Sequence, residues 1–146
     1  RDAIPCIYGE DEEFEIGKAK CLKEGKDLTI MANGDTVSIA LEAAKKLEEE
    51  GIHAQVYDFH TIKPLDVDAV NKAIEENGKI ITVEDHNIIN GLGSAVCEIV
   101  AEAGKGKVHR IGVQDQFGES APYEELLKKN GITSENIVKC AKDMID

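Results

Sequence analysis

Four short apolar runs, most of them followed by a stretch of helical spacing, constrain this chain more than anything else in it. Leu28-Thr29-Ile30-Met31-Ala32 is mostly apolar on consecutive residues and of strand length. Thr36 through Glu50 then places Val37, Ala40, Leu41, Ala44 and Leu47 on one helical face, and Gly51 stops the pattern. His53 to Phe59 predicts the next strand. Asp66 opens a helix through about Glu76, with Val67, Val70 and Ile74 inward. Lys79 to Val83 predicts a third strand, Gly93 to Ala103 a helix ended by Gly104, and Lys107 to Val113 a fourth strand. Two short helices close the chain. Pro122 or Tyr123 starts the first; Ser134 caps the second, whose apolar stripe is Ile137, Cys140, Ala141 and Ile145.

A strand that is apolar on consecutive residues buries both faces, which a parallel sheet covered by helices on both sides provides. The alternation therefore predicts an α/β domain with a parallel or mostly parallel sheet. At 146 residues the chain fits one such domain. It contains no internal repeat, low-complexity segment or interior linker. Residues 9–15 are mostly acidic and predict a solvated leader, although Phe14 and Ile16 have the spacing of a short edge strand. The chain opens on Arg1 rather than Met, so a preceding segment is expected.

Charge excludes one class of partner. The formal net charge is −12 with no Lys/Arg cluster, and phosphate backbones repel such a surface. No apolar run approaches the ~20 residues of a membrane span. Cys6, Cys21, Cys97 and Cys140 have neither metal-knuckle nor redox-motif spacing, and read as free thiols in a reducing cytoplasm.

Polar segments follow each predicted strand, where ligands bind in open α/β sheets. Asn33-Gly34-Asp35-Thr36 reads as a turn and helix cap, since Asp35 would repel a phosphate. His60-Thr61-Ile62-Lys63-Pro64-Leu65-Asp66 is a shaped connection: Pro64 keeps Lys63 out of helical conformation and Asp66 caps the next helix. His60 could act as a base, but spacing gives it no nucleophile or carboxylate partner. Glu84-Asp85-His86-Asn87 crowds acid, imidazole and amide groups together. Neighbours on a strand point to opposite faces, so these do not converge on a metal. Gly91 and Gly93 fit a tight turn and close helix–sheet packing better than a phosphate loop. Phe117, inside Asp115-Gln116-Phe117-Gly118-Glu119-Ser120, reads as a loop anchor or a contact with a neighbouring domain.

Taken in order, these segments resemble the C-terminal domain of transketolase. The resemblance rests on Ile-Gly-Lys-Ala, Ala-Asn-Gly, His-Thr-Ile-Lys-Pro-Leu-Asp, Glu-Asp-His-Asn-Ile-Ile-Asn-Gly-Leu-Gly-Ser-Ala-Val, Arg-Ile-Gly-Val and Asp-Gln-Phe-Gly-Glu-Ser. It covers nearly the whole chain and is strongest to the split form encoded as two subunits. Asn33 and Asn90 depart from the family pattern, which has Thr and Gly there; both tolerate turn geometry.

The resemblance implies a three-layer α/β/α fold with a five-stranded, mostly parallel sheet. Its one antiparallel strand would come from Ile16 and its neighbours or another edge segment. Residues 1–16 would be a leader following a pyrimidine-binding domain, and 17–146 the C-terminal domain proper. The resemblance also implies transfer of a two-carbon ketol unit between sugar phosphates, as in the cytoplasmic pentose phosphate pathway. The complete enzyme would use thiamine diphosphate, which serves as electron sink, and a divalent metal such as Mg. This chain lacks the Gly-Asp-Gly signature followed by Asn and would bind neither. It would be inactive alone and would support subunit architecture and dimerisation, as part of a homodimer or heterotetramer with the pyrimidine- and diphosphate-binding parts.

One substrate contact could fall on this chain. Arg1, with Pro5 following, matches a family arginine that touches the substrate phosphate, a role suited to a planar guanidinium. His60, His86, Asn87 and Phe117 are the candidates for an interface or crevice. The alternatives are the same domain of a deoxyxylulose-phosphate synthase or a 2-oxo acid dehydrogenase β-subunit, or a small-molecule regulatory module whose crevice is lined by Asn33, His60, His86 and Phe117.

Overall fold

A computed structural model describes residues 4–146. Five strands form one sheet: β1 (Lys20–Lys23), β2 (Leu28–Ala32), β3 (Ala54–Asp58), β4 (Lys79–Asn87) and β5 (Lys107–Val113). The helices are α1 (Thr36–Glu49), α2 (Val67–Glu76), α3 (Leu92–Ala103), α4 (Tyr123–Lys129) and α5 (Ser134–Ile145). Strand order is β1-β3-β2-β4-β5, with β1 antiparallel to β3 and the other pairs parallel. This is the expected three-layer α/β/α arrangement.

Alternate strand residues feed two cores. Leu28, Ile30, Val56, Ile81 and Val83 pack with α1 and α5 on one face. Met31, Tyr57 and Ile80 pack with α2 and α3 on the other. Consecutive apolar residues are needed because both faces are covered. β2 and β4 are neighbours whose following helices lie on opposite faces. Their carboxyl ends therefore diverge into a crevice at the topological switch point. No helix among the described residues is long and apolar enough to cross a membrane.

Three expectations need correction. Of the two sources expected for the antiparallel strand, it is another edge segment, Lys20–Lys23, and not the residues around Ile16. Leu22 packs against the core, whereas Ile16 is 77% exposed and Gly17 turns the chain at φ 83°. The leader is acidic and exposed over much of its length, but it is anchored. Tyr8 O–H donates to Asp58 Oδ2 at 2.6 Å, and the Phe14 ring packs edge-on against Tyr8 and His60. At α5 the capping side chain is Thr133, which accepts from Asn136 N–H at 3.2 Å. Thr133 is extended, as a cap must be, while Ser134 is already helical and donates its hydroxyl to Glu42 on α1.

Candidate functional site

The crevice at the switch point is built from the turns after β2 and β4. A cavity of about 370 Å³ there is lined by Asn33, Gly34 and Asp35 on one side, and by Glu84, Asp85, His86, Asn90 and Gly91 on the other.

Glu84 is the unexpected member. It is 1% exposed although it begins the polar run. Its Oε2 accepts from Leu92 N–H and its Oε1 from Gly93 N–H, both at 2.8 Å. These are orphan donors of the first turn of α3, and the positive end of the helix favours the carboxylate. The chain thus fills with its own side chain the site where a helix would hold a phosphate. Gly91 and Gly93 permit the approach. A Cβ at Gly91 would fall onto the Glu84 carboxylate, and one at Gly93 would lie 2.7 Å from Thr82 Oγ1 and 2.8 Å from Arg110 Cγ.

The intervening turn is closely bonded. Ile88 C=O accepts from Ser94 O–H at 3.0 Å and from Arg110 Nη1 at 2.8 Å. Asn90 takes φ 64°, the left-handed region that glycine enters freely and Asn tolerates. β4 runs through Asn87, four residues beyond the predicted Val83, so Glu84 to Asn87 belong to a strand rather than a turn.

At the other wall, Asp35 sits at the start of α1 but makes no side-chain cap. Tyr123 O–H lies 3.0 Å from Asp35 Oδ2 and 3.1 Å from Asp85 Oδ2, with one proton to serve both carboxylates in alternation. Burial, then the hydrogen bond to Asp35 and the charge of Asp85, hold the Tyr123 hydroxyl well above its ordinary pKa. Thr36 does the local bonding instead: its hydroxyl lies 2.8 Å from both Asn33 C=O and Val83 C=O, with one proton to donate to either.

The remaining candidates separate. His60 lines a different cavity, beneath the leader, together with Asp58 and Phe14. His86 Nδ1 lies 2.7 Å from Asn87 C=O, and its side chain is largely exposed. Asn87 Nδ2 donates to Asp115 Oδ1 at 2.9 Å, tying β4 to the loop after β5. Phe117, in that loop, is 99% exposed. The expected crevice of Asn33, His60, His86 and Phe117 is therefore not one site: they lie at the ends of four different strands, and among the described residues only Asn33 and His86 share a cavity. Arg1 lies outside the described residues. Cys140, buried in α5, lies 3.2 Å from His109 Nε2, and burial pushes its thiol up, which suits packing rather than nucleophilic chemistry.

The chemistry of the strand ends does not fit thiamine diphosphate. Asp35, Glu84 and Asp85 line the switch-point cavity, among the described residues no Lys or Arg does, and the Leu92 and Gly93 amides of α3 are already bonded. Nor do three or more His, Cys, Asp or Glu side chains group as a metal site among the described residues.

Residues 17–137 match the model of the transketolase C-terminal domain family. The chain is 47% identical over 136 residues to a Methanocaldococcus jannaschii protein named as a transketolase C-terminal section, covering 91% of this chain and 42% of that protein. It is 42% identical over 146 residues to one of the subunits of an apulose-4-phosphate transketolase from Phocaeicola vulgatus, covering 99% of this chain and 46% of that one. Among solved structures, a split-gene transketolase described as an inactive β4 tetramer superposes with a TM-score of 0.94 at 42% identity. That alignment covers 99% of this chain and 48% of the other. The chain thus spans under half the length of the relatives it matches here.

Proposed function

The chain belongs to the transketolase C-terminal domain family, and on that premise we propose that its strand-end face docks the remainder of a ketol-transferring enzyme. One observation carries this reading. Of the large apolar side chains that stay exposed among the described residues, only Ile145 lies away from the carboxyl end of the parallel strands. Ile4, Ile7 and Phe14 belong to the leader packed there, while Ile62, Ile89 and Phe117 lie on loops leaving β3, β4 and β5. Apolar side chains gathered at one end of an otherwise acidic domain mark an interaction face. The relatives named as transketolase subunits, and the neighbour described as a tetramer, support a partner subunit as occupant.

The assembled enzyme, in this reading, moves a two-carbon ketol unit between phosphorylated sugars in the cytoplasm. Thiamine diphosphate supplies the electron sink when bound. It and its Mg are held by the pyrimidine- and diphosphate-binding parts, since the strand ends of this domain offer carboxylates instead of phosphate ligands. Residues 17–146 form the domain and 1–16 lead into it. Arg1 is assigned to the substrate phosphate, and Arg1→Ala is expected to raise KM for phosphorylated sugars; an unchanged KM rejects the assignment. Relatives include subunits named for 6-deoxy-6-sulfo-D-fructose, a sulfonate, and for apulose-4-phosphate, so the sugar is left as a ketose carrying an anionic group.

The test compares the chain alone with the complete, thiamine-loaded assembly in a two-carbon transfer assay. Transfer by the assembly and none by the chain is expected. Transfer by the chain alone, or none by the assembly, overturns the reading. Deoxyxylulose-phosphate synthase is the second reading, favoured by a relative of that name at 39% identity over 140 residues. It predicts condensation with a 2-oxo acid instead of transfer between sugars.

A further inference from the structure

Two residues lining the cavity beneath the leader each carry a buried polar atom that has no partner among the described residues. The cavity's volume is about 550 Å³, the size of a small-molecule site. Ile4, Ile7 and Phe14 supply apolar wall, and Tyr8, Asp58 and His60 supply polar groups. Asp58 is 5% exposed. Its Oδ2 is taken by Tyr8 O–H at 2.6 Å, but its Oδ1 has no partner among the described residues. His60 Nε2 is also buried and unpaired among them. Buried polar atoms are normally bonded, so two orphans on residues that line one cavity point to a ligand that would complete them.

The surroundings decide what kind. Lys20 lies opposite Asp58 in the sheet register, yet its ammonium pairs with Glu12 and sits 4.6 Å from the centre of the Phe14 ring. Among the described residues no Lys or Arg lines the cavity, and Asp35 is a second carboxyl group there. A phosphate or carboxylate would meet two acids and, among the described residues, no cation. An ammonium group would meet Asp58 Oδ1 as acceptor. His60 Nε2 is a further acceptor when the ring carries its proton on Nδ1. Carbons attached to the ammonium would lie against Ile4, Ile7 and Phe14. We propose that this cavity binds a small organic ammonium compound, held by Asp58 and His60. Ile4, Ile7 and Phe14 also belong to the strand-end face, so the site proposed is that of the unassembled chain.

Isothermal titration of the full chain tests it, with 2-phenylethylammonium as probe and 3-phenylpropionate as its anionic counterpart. Expected are saturable one-to-one binding of the cation at about 1 mM or tighter, and a preference of roughly tenfold or more over the anion. Asp58→Asn keeps the side-chain size and should weaken the cation by roughly tenfold. Ile7→Trp fills the cavity from an exposed position and should abolish binding even if Asp58→Asn does not fold. No saturation by the cation, equal binding of the anion, or unchanged binding in folded Asp58→Asn or in Ile7→Trp overturns the proposal.

Discussion

Glu84 Oε2 accepts a 2.8 Å hydrogen bond from Leu92 N–H, eight residues downstream, and so joins the end of a central strand to the first turn of the helix that follows. The second oxygen does the same for Gly93 N–H. A buried carboxylate bonded to two helix amides stabilises; the same amides without an acceptor cost about 1–3 kcal/mol each. Glu84→Ala is therefore expected to destabilise by about 2–4 kcal/mol, and Glu84→Gln, which keeps one acceptor oxygen, by roughly half as much. Urea melts of the three proteins check the order; a Glu84→Ala loss below that of Glu84→Gln would show that the amides find another partner.

The glycines make the same relationship testable from the other side. A methyl group at Gly91 would overlap the Glu84 carboxylate, which cannot retreat without breaking both bonds. At Gly93 it would press on Thr82 Oγ1 and on the flexible Arg110 side chain. Overpacking typically costs about 1–3 kcal/mol. Gly91→Ala is expected to exceed that range and Gly93→Ala to fall within it. In a Glu84→Ala background the Gly91→Ala penalty should shrink, because the overlapping group is gone. A double-mutant cycle giving simple additivity would contradict the overlap.

The sequence was most readable where burial is two-sided. Leu28–Ala32 and Ile80–Val83 are apolar apart from Thr29 and Thr82 because helices cover both faces, and that pattern needs no partner to be recognised. Lys20–Lys23 was missed because it offers only Leu22 to the core, and its place depends on pairing with β3 far along the chain. Glu84 to Asn87 looked like a turn because polar residues normally leave the core. Glu84 stays inside because its partners are backbone amides, invisible to hydropathy. An acid shortly before Gly-Leu-Gly at a helix start was the available signal. Asp66 was legible for the converse reason: its cap acts on Ala69, three residues away, at 3.1 Å. His60, His86 and Phe117 read as one crevice because all follow strands, yet which strand end faces which cavity is set by the strand order.

Alkaline titration should separate the two tyrosines that hold carboxylates. Burial first, then the bond to Asp58, raises the Tyr8 hydroxyl above its ordinary pKa of 10.0, and Tyr123 is raised in the same way by burial and Asp35. A group whose pKa is higher folded than unfolded keeps its proton more tightly in the folded state. Its contribution is full below pH 10 and is lost as pH rises from there towards the folded value. Stability measured by urea melts should therefore fall above about pH 10. Tyr123→Phe and Tyr8→Phe should each lower stability at neutral pH and flatten the alkaline fall. An equally steep fall in the double variant would assign it to other groups.

Phe117 offers the cleanest separation of folding from assembly. It is 99% exposed, in the loop that Asn87 ties to β4 through Asp115, so its ring contributes almost nothing to the domain core. Surface changes away from structural contacts stay within about 0.5 kcal/mol. An aromatic side chain that inserts into a partner is commonly worth about 2 kcal/mol or more. Phe117→Asp is accordingly expected to leave the urea midpoint of the isolated chain unchanged and to weaken assembly of the complete protein by roughly thirtyfold. Sedimentation of the complete protein across a dilution series reads the second quantity, and two-carbon transfer should fall in parallel as the assembly dissociates. His86→Ala, on the same face but with its ring against the Asn87 carbonyl, should leave assembly and turnover near wild type. Full assembly by Phe117→Asp would remove that residue as an anchor, and lost turnover with intact assembly in His86→Ala would assign His86 to the chemistry.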